Sequence, residues 1–264
     1  FGRNKAAVVT CRFHGWVYDA RGKIVQVPEE NKFHADFDKD KNGLTPVHTD
    51  VWEGFIFVNL DPSENVVPLA EFLGGMGTHL AGFPYEELGQ CFSYHTYLDC
   101  NWKVAHDAFA EAYHVATIHA GSFPNVFSSG LQNVELFGPH RTTAICLSLN
   151  AEPTPVAKIA NSLATGSLVA KRSTSMLPPT VNPDRREDFS FELSVLFPNL
   201  LLHISEGIWF THQFWPVAHN KTLWEGKYYV RPAKTNSQRW ALEHAQCLQR
   251  NAWLEDTATM EDTQ

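Results

Sequence analysis

No apolar run in the chain reaches the roughly 18 residues that a membrane span requires. The first residues, Phe1 to Thr10, lack the charged-then-apolar pattern of a secretory signal. Positive charge is in short supply. Lys and Arg number 21 against 29 Asp and Glu, a net charge of −8, which speaks against a nucleic-acid partner, since that requires a basic stripe. Cysteine is scarce and odd in number. Cys11, Cys91, Cys100, Cys146 and Cys247 show no framework spacing, which excludes a disulfide scaffold and fits a reducing, cytoplasmic setting. There is no internal repeat and no low-complexity tract. An initiating Met is also missing, so the chain reads as a piece of something longer.

What is present is globular. Hydrophobic residues make up 44% and charged residues 19% of 264, and at about 150 residues per domain that length suggests one large domain or two smaller ones. The first fifty residues read as short strands and turns: Ala7 to Thr10, a turn at Asp19 to Gly22, Lys23 to Val27, then a mostly polar loop from Asn31 to Gly43. Val51 to Leu60 reads as one strong strand ended by Asp61-Pro62, with a domain boundary near there. Leu69 to Leu80 is a weak helix, Phe92 to Leu98 a strand, and Asn101 to His119 the best helical stretch of the first half, with Trp102, Ala105, Phe109 and Ala112 at spacings of three and four. Gly121 to Leu177 is mixed, with a strand at Arg141 to Leu149 and a helical piece near Val156 to Ala170; such an insertion suits a lid or pocket wall. Phe189 to Ile204, bent or split at Pro198, then Ile208 to Val217 and Thr222 to Val230, form an antiparallel meander. A helix from Ser237 to about Met260 closes the chain.

Two constellations carry chemistry. Cys11-Arg-Phe-His14, followed at once by Gly15-Trp16, is a Cys-x-x-His pair, the spacing of two metal ligands on a tight turn. On spacing alone a buried Cys beside a surface His fits equally well. The second is Glu111, His114 and His119 within Asn101 to His119. On a straight helix the two histidines stand about 140° apart and cannot share one ion. Either the helix ends between them or a π-bulge brings them together. Glu111 lies only about 60° from His114 on the same geometry. Elsewhere, Trp209, Phe210, Phe214 and Trp215 read as core, with some facing a pocket. His203 and His212, in strands, read as satisfied core histidines. Arg3, Lys5, Arg12, Arg21 and Lys23 read as solvated surface, with a docking face for an electron donor as the alternative.

The run from Cys11 to Pro28 resembles the second half of a Rieske [2Fe–2S] motif. Asn101-Trp102-Lys103, followed by acidic-x-Tyr-His-x4-His, resembles the mononuclear iron motif of Rieske non-haem iron oxygenase α subunits, and Val51 to Pro62 matches that family in the same order. The resemblance implies that Cys11 and His14 are half of a cluster site of the Cys2His2 kind. None of the ten residues before Cys11 is Cys or His, so either the chain starts between the two halves or the site has degenerated, and the missing start residue favours the former. The resemblance makes His114 and His119 the histidines of a 2-His-1-carboxylate triad. It makes Glu111 the acidic bridge that carries electrons between subunits, a position where the family's commonest residue is Asp. Trp253 to Gln264 resembles the family's Glu-Asp-x4-Glu-x2-Gln ending, which puts the third iron ligand at Asp256, with Glu255 and Asp262 as competitors. Val115, Phe197 and Leu201 become pocket walls by the same analogy.

The implied fold is α+β: a partial all-β Rieske domain over residues 1–62, then a helix-grip (Bet v 1-like) catalytic domain over 63–264 with an antiparallel sheet. The implied activity is hydroxylation of an aromatic or other apolar ring substrate by O2, with electrons from NAD(P)H passed by a reductase, often with a ferredoxin, through a Rieske [2Fe–2S] cluster to mononuclear Fe(II). A homotrimer or α3β3 assembly is implied as well. A monooxygenase acting on a quaternary amine or a methyl-bearing substrate is the alternative enzyme. A metal-free helix-grip module that binds hydrophobic ligands is the alternative outside catalysis.

Overall fold

A computed structural model describes residues 7–128, 134–148, 150–166 and 176–264. It has two compact units. One runs to Val51 and takes in Ile56–Val67; the other holds Trp52–Phe55 and Pro68–Gln264.

In the first unit, β1 (Val8–Thr10), β2 (Val17–Asp19) and β3 (Ile24–Gln26) form an antiparallel sheet in that order. Asp19 makes the β2–β3 turn: its carboxylate accepts the backbone N–H of Arg21 at 2.8 Å and of Lys23 at 2.9 Å, and Gly22 takes a φ of +80° that a side chain would resist. The sequence predicts a single strand over Val51 to Leu60. The chain instead forms a hairpin, β4 (His48–Trp52) and β5 (Phe55–Asn59). Glu53 and Gly54 take φ of +48° and +83°, the left-handed pair that lets a two-residue turn follow strand twist.

The second unit is built on a seven-stranded antiparallel sheet. Along the chain come α1 (Leu69–Leu80), β6 (Gly89–Leu98), α2 (Trp102–Ala108), α3 (Val115–Ile118), β7 (Val134–Phe137), β8 (His140–Cys146), α4 (Pro155–Leu163), β9 (Phe189–Leu196), β10 (Leu200–Ser205), β11 (Ile208–Ala218), β12 (Lys221–Val230) and α5 (Asn236–Thr263). The strand order is β6-β12-β11-β10-β9-β8-β7. The architecture is α+β, as the sequence indicates. Pro198 splits the predicted Phe189 to Ile204 strand into β9 and β10, because proline has no N–H for a ladder. Strand β7 is not foreseen, since its Val-Glu-Leu-Phe is too short to show periodicity. The expected helical piece to Ala170 ends at Leu163; residues 167–175 lie outside the described residues, as do 129–133 and 149 of the mixed segment.

Helix α5 is 28 residues long and starts where Thr235 caps it, its hydroxyl accepting the Gln238 N–H at 3.1 Å. From Gln249 onward its buried positions are Gln249, Ala252, Trp253, Asp256 and Met260, a stripe at three- and four-residue steps. Trp253 joins Tyr94, Trp224 and His212, with ring centroids 5.1, 6.0 and 4.9 Å away. That packing pins α5 over the sheet and fixes the height of Asp256 one turn along. Among the described residues, no helix is long and apolar enough to cross a membrane.

Leu201, expected in a pocket wall, is fully buried in the core. It shares a strand face with His203, two residues on, but its side chain is not part of the cavity lining described below. Leu201→Ala should therefore cost about 2–5 kcal/mol of stability, measured by urea unfolding; a loss below about 1 kcal/mol would place this side chain outside the core.

Candidate metal centre

The expected Asn101 to His119 helix is two helices. Asn101 caps α2, its side-chain oxygen accepting the Lys103 N–H at 3.0 Å. The helix stops at Phe109, whose ring is held against His212 at 4.4 Å and Trp224 at 4.9 Å. Glu111 then makes a fresh start: its carboxylate accepts the backbone N–H groups of Tyr113 and His114. A side chain that bonds nearby backbone N–H groups competes with helix continuation. His114 and His119 consequently flank the single turn α3, one at each end. The break falls before both histidines, at Phe109 to Glu111, rather than between them as the sequence suggests, and the two histidines stand as the caps of one short turn.

This break converges three side chains from distant parts of the chain. His114, His119 and Asp256 each offer a ligand atom within 4.8 Å of the others. Asp256 Oδ1 lies 3.5 Å from His114 Nε2 and 3.2 Å from His119 Nε2. Each imidazole has a second carboxylate on its other nitrogen. Glu111 Oε1 engages His114 Nδ1, and Glu255 Oε2 lies 2.9 Å from His119 Nδ1 while also accepting the Ser122 hydroxyl at 2.6 Å. Ionised carboxylates only accept, so both Nδ1 atoms carry a proton and both Nε2 atoms are turned to Asp256. Two imidazole nitrogens and one carboxylate oxygen are a donor set that would leave non-haem iron with open positions, and carboxylates behind ligating histidines are its usual support. The residues present fit mononuclear iron.

The electrostatics agree. Burial disfavours the charged form of Glu111, but the His114 ring and two backbone N–H groups outweigh it and hold this carboxyl below the usual carboxylate range. Burial likewise opposes charge on Glu255, and Ser122 and His119 overcome it, again lowering the pKa. Burial lowers the His119 pKa, yet Asp256 and Glu255 on its two nitrogens raise it overall. Asp262, the other competitor for third ligand, is exposed near the end of α5 and outside the group.

A cavity of about 590 Å³, its open mouth included, reaches the three residues. Its walls are largely aromatic and aliphatic: Phe109, Phe123, Phe127, Phe191, Phe210 and Trp253 line it, with Val115 among the rest. Phe197 is not in the wall; it is 52% exposed beside Pro198. Two wall residues correct the sequence-based picture. His203 and His212 are fully buried, but they are not satisfied: among the described residues, neither ring nitrogen of His203, nor Nε2 of His212, has a partner. Burial holds the His203 imidazole down at about 3, and burial with repulsion from His203 puts His212 well below the ordinary value. Both are neutral at pH 7. Alternation in β10 and β11 was the signal for their facing inward; nothing local in the sequence says that no partner awaits them.

The matching family model describes a ring hydroxylating alpha subunit (catalytic domain) and covers residues 84–264. The chain belongs to this family. A model of the Rieske [2Fe-2S] domain matches residues 2–48. The large subunit of anthranilate 1,2-dioxygenase from Acinetobacter baylyi is 33% identical over 123 residues, 44% of this chain and 26% of its own length. The oxygenase subunit of carnitine monooxygenase from Escherichia coli K12 is 34% identical over 124 residues, 46% of this chain and 32% of its own length. Each match thus spans less than a third of the relative. Among solved structures, a quaternary ammonium Rieske monooxygenase in complex with an inhibitor superposes with a TM-score of 0.72 at 20% identity, covering 100% of this chain and 62% of that one. Naphthalene 1,2-dioxygenase from Rhodococcus sp. bound to indole gives 0.65 at 17%, covering 98% and 64%. At such identities the likeness is one of fold.

In this α-subunit chain, Cys11 and His14 sit on the tight turn their spacing suggests. The Cys11 carbonyl accepts the Gly15 N–H at 2.9 Å, the Cys11 N–H reaches the Trp16 carbonyl at 2.8 Å, and Gly15 has a φ of +76°. Cys11 is half-buried and His14 exposed. Among the described residues they join no group of three potential metal ligands. One Cys and one His are the residue types of two of the four ligands that a Rieske cluster takes.

Two outcomes are expected. Glu255→Ala frees His119 to rotate and should weaken Fe(II) affinity about 10–100-fold in anaerobic titrations; unchanged affinity would mean that Glu255 does not orient the ring. The unfolded chain protonates His203 near pH 6.5 and the folded chain does not, so this group's contribution is complete above that pH and is lost as pH falls towards 3. Its slope is about 1.4 kcal/mol per pH unit. His203→Phe should remove that slope between pH 6 and 4 in urea unfolding at stepped pH, and an unchanged slope would count against a neutral buried imidazole.

Proposed function

We propose that the chain is the catalytic part of an oxygenase that uses O2, with electrons from NAD(P)H through a reductase, with or without a ferredoxin, to hydroxylate an aromatic or other apolar ring substrate. The observation that carries this is the convergence of His114, His119 and Asp256 at a cavity with aromatic walls. Iron held there supplies O2-activating redox chemistry with coordination positions left open to reactants. The protein's own part is positional. Glu111 and Glu255 fix the ring orientations, and the aromatic walls seat a flat substrate and exclude water. Glu111, with a side chain 43% exposed behind His114, also suits the proposed role of electron bridge from a neighbouring subunit in a homotrimer or α3β3 assembly. The domain division at 62/63 and a cytoplasmic setting belong to the same proposal.

A second reading has support of its own. One curated relative is named a carnitine monooxygenase oxygenase subunit, and the aromatic rings of this cavity are also what a quaternary ammonium group seeks. Oxidation of a quaternary amine or a methyl-bearing substrate is therefore the alternative. A metal-free binding module is disfavoured by the carboxylate-backed histidine pair.

Iron analysis of the purified protein tests the proposal. Wild type should hold close to one mononuclear iron per chain, and His114→Ala, His119→Ala and Asp256→Asn should each lose most of it. Turnover of aromatic and quaternary-amine panels by the full-length protein then separates the two enzyme readings. Iron content unchanged in His114→Ala would overturn both.

A further inference from the structure

His203 and His212 stand on adjacent strands of the cavity wall, with ring centroids 5.5 Å apart. Their register explains the meeting: His203 pairs with Phe210 and Leu201 with His212, so the two imidazoles are diagonal neighbours on one sheet face. The proton on His212 can be assigned. The Trp224 indole N–H donates to His212 Nδ1 at 3.1 Å. Indole is a donor only, so Nδ1 is the lone-pair nitrogen and Nε2 carries the hydrogen. That Nε2–H is buried and has no acceptor among the described residues. His203 has an N–H of its own and, among the described residues, no partner on either nitrogen. Around them the wall is apolar: Phe109 and Phe210 pack on the pair at 4.4 and 4.6 Å. A purely hydrocarbon ligand would leave these donors stranded, at the cost that buried unpaired donors carry. Neither residue belongs to the metal group.

We propose that His203 and His212 form a polar recognition point in the substrate cavity, which selects a substrate bearing a hydrogen-bond-accepting oxygen on its apolar or aromatic frame. The Trp224 indole is the positioning group that keeps the His212 Nε2–H available. This rests on the cavity being the substrate pocket of the proposed oxygenase, and it narrows the substrate class within that reading.

The test is calorimetric binding of three probes of similar size to the purified chain: benzoate with a carboxylate, acetophenone with a neutral carbonyl, and ethylbenzene with no acceptor. At least one oxygen-bearing probe should bind about tenfold or more tighter than ethylbenzene, and the better of the two tells whether the acceptor is charged. His212→Phe and His203→Phe, each checked for an unchanged melting temperature, should reduce that preference to within about threefold. Ethylbenzene binding as tightly as both oxygen-bearing probes overturns the proposal, as does a full preference retained in folded His212→Phe and His203→Phe. The wild-type comparison decides alone if the variants do not fold. Iron content of the same wild-type samples keeps the two claims apart. Protein that takes no iron but shows the preference overturns the oxygenase reading and supports the recognition point; iron-loaded protein without the preference overturns only the recognition point.

Discussion

Carboxylates occupy the Nδ1 of both His114 and His119, Glu111 in the first case and Glu255 in the second. Each ring is thereby left with its Nε2 turned to Asp256. The rest of the centre depends on this arrangement, because an imidazole free to rotate or to change tautomer would present the wrong nitrogen. Glu111 does two jobs at once. Its carboxylate receives backbone N–H groups at the break after α2, just ahead of both histidines, and it holds the ring that the break sets in place. The interruption of the helix and the orientation of His114 are one interaction seen from backbone and side chain.

The scaffold supplies what these local contacts cannot. Asp256 lies 142 residues beyond His114 and reaches it because Trp253, one turn earlier on α5, is wedged among Tyr94, Trp224 and His212 over the sheet. The same aromatic packing holds Phe109 and so ends α2. One apolar cluster thus fixes both the carboxylate and the break in the helix, while the sheet face beneath it forms the cavity wall. His203 and His212 are the exception to that wall's apolar character, and their cost in burial is tolerable only while they stay neutral.

Strand periodicity in the second half of the chain was legible, as were Pro198 as a divider, the Asp19 to Gly22 turn and the closing helix. The hairpin at Glu53-Gly54 was not, since apolar residues on both sides of Glu-Gly read as one continuous strand. Strand β7 was too short to register. Val115 was placed in the cavity wall by analogy and lines it, whereas Phe197 and Leu201 were placed there and do not. On a strand, a step of two residues keeps the face but moves a side chain some 6–7 Å along it, enough to pass from pocket to core. The role of Glu255 as a partner of His119, rather than a rival of Asp256, was equally hidden, because adjacent acidic residues on a helix point about 100° apart and only the packing of α5 decides which one faces inward.

By itself the sequence determined which chemistry was available: the residue types at Glu111, His114, His119 and the acidic pair Glu255-Asp256, the Cys11–His14 turn, and an α+β order of strands and closing helix. Residue types and short-range spacing are local properties, and they survive reading in one dimension. Only the tertiary structure decided where the helix breaks, which acidic residue meets both histidines, and that two strand imidazoles face a cavity without partners. Each of those is settled by burial against residues far along the chain, where packing outweighs local propensity.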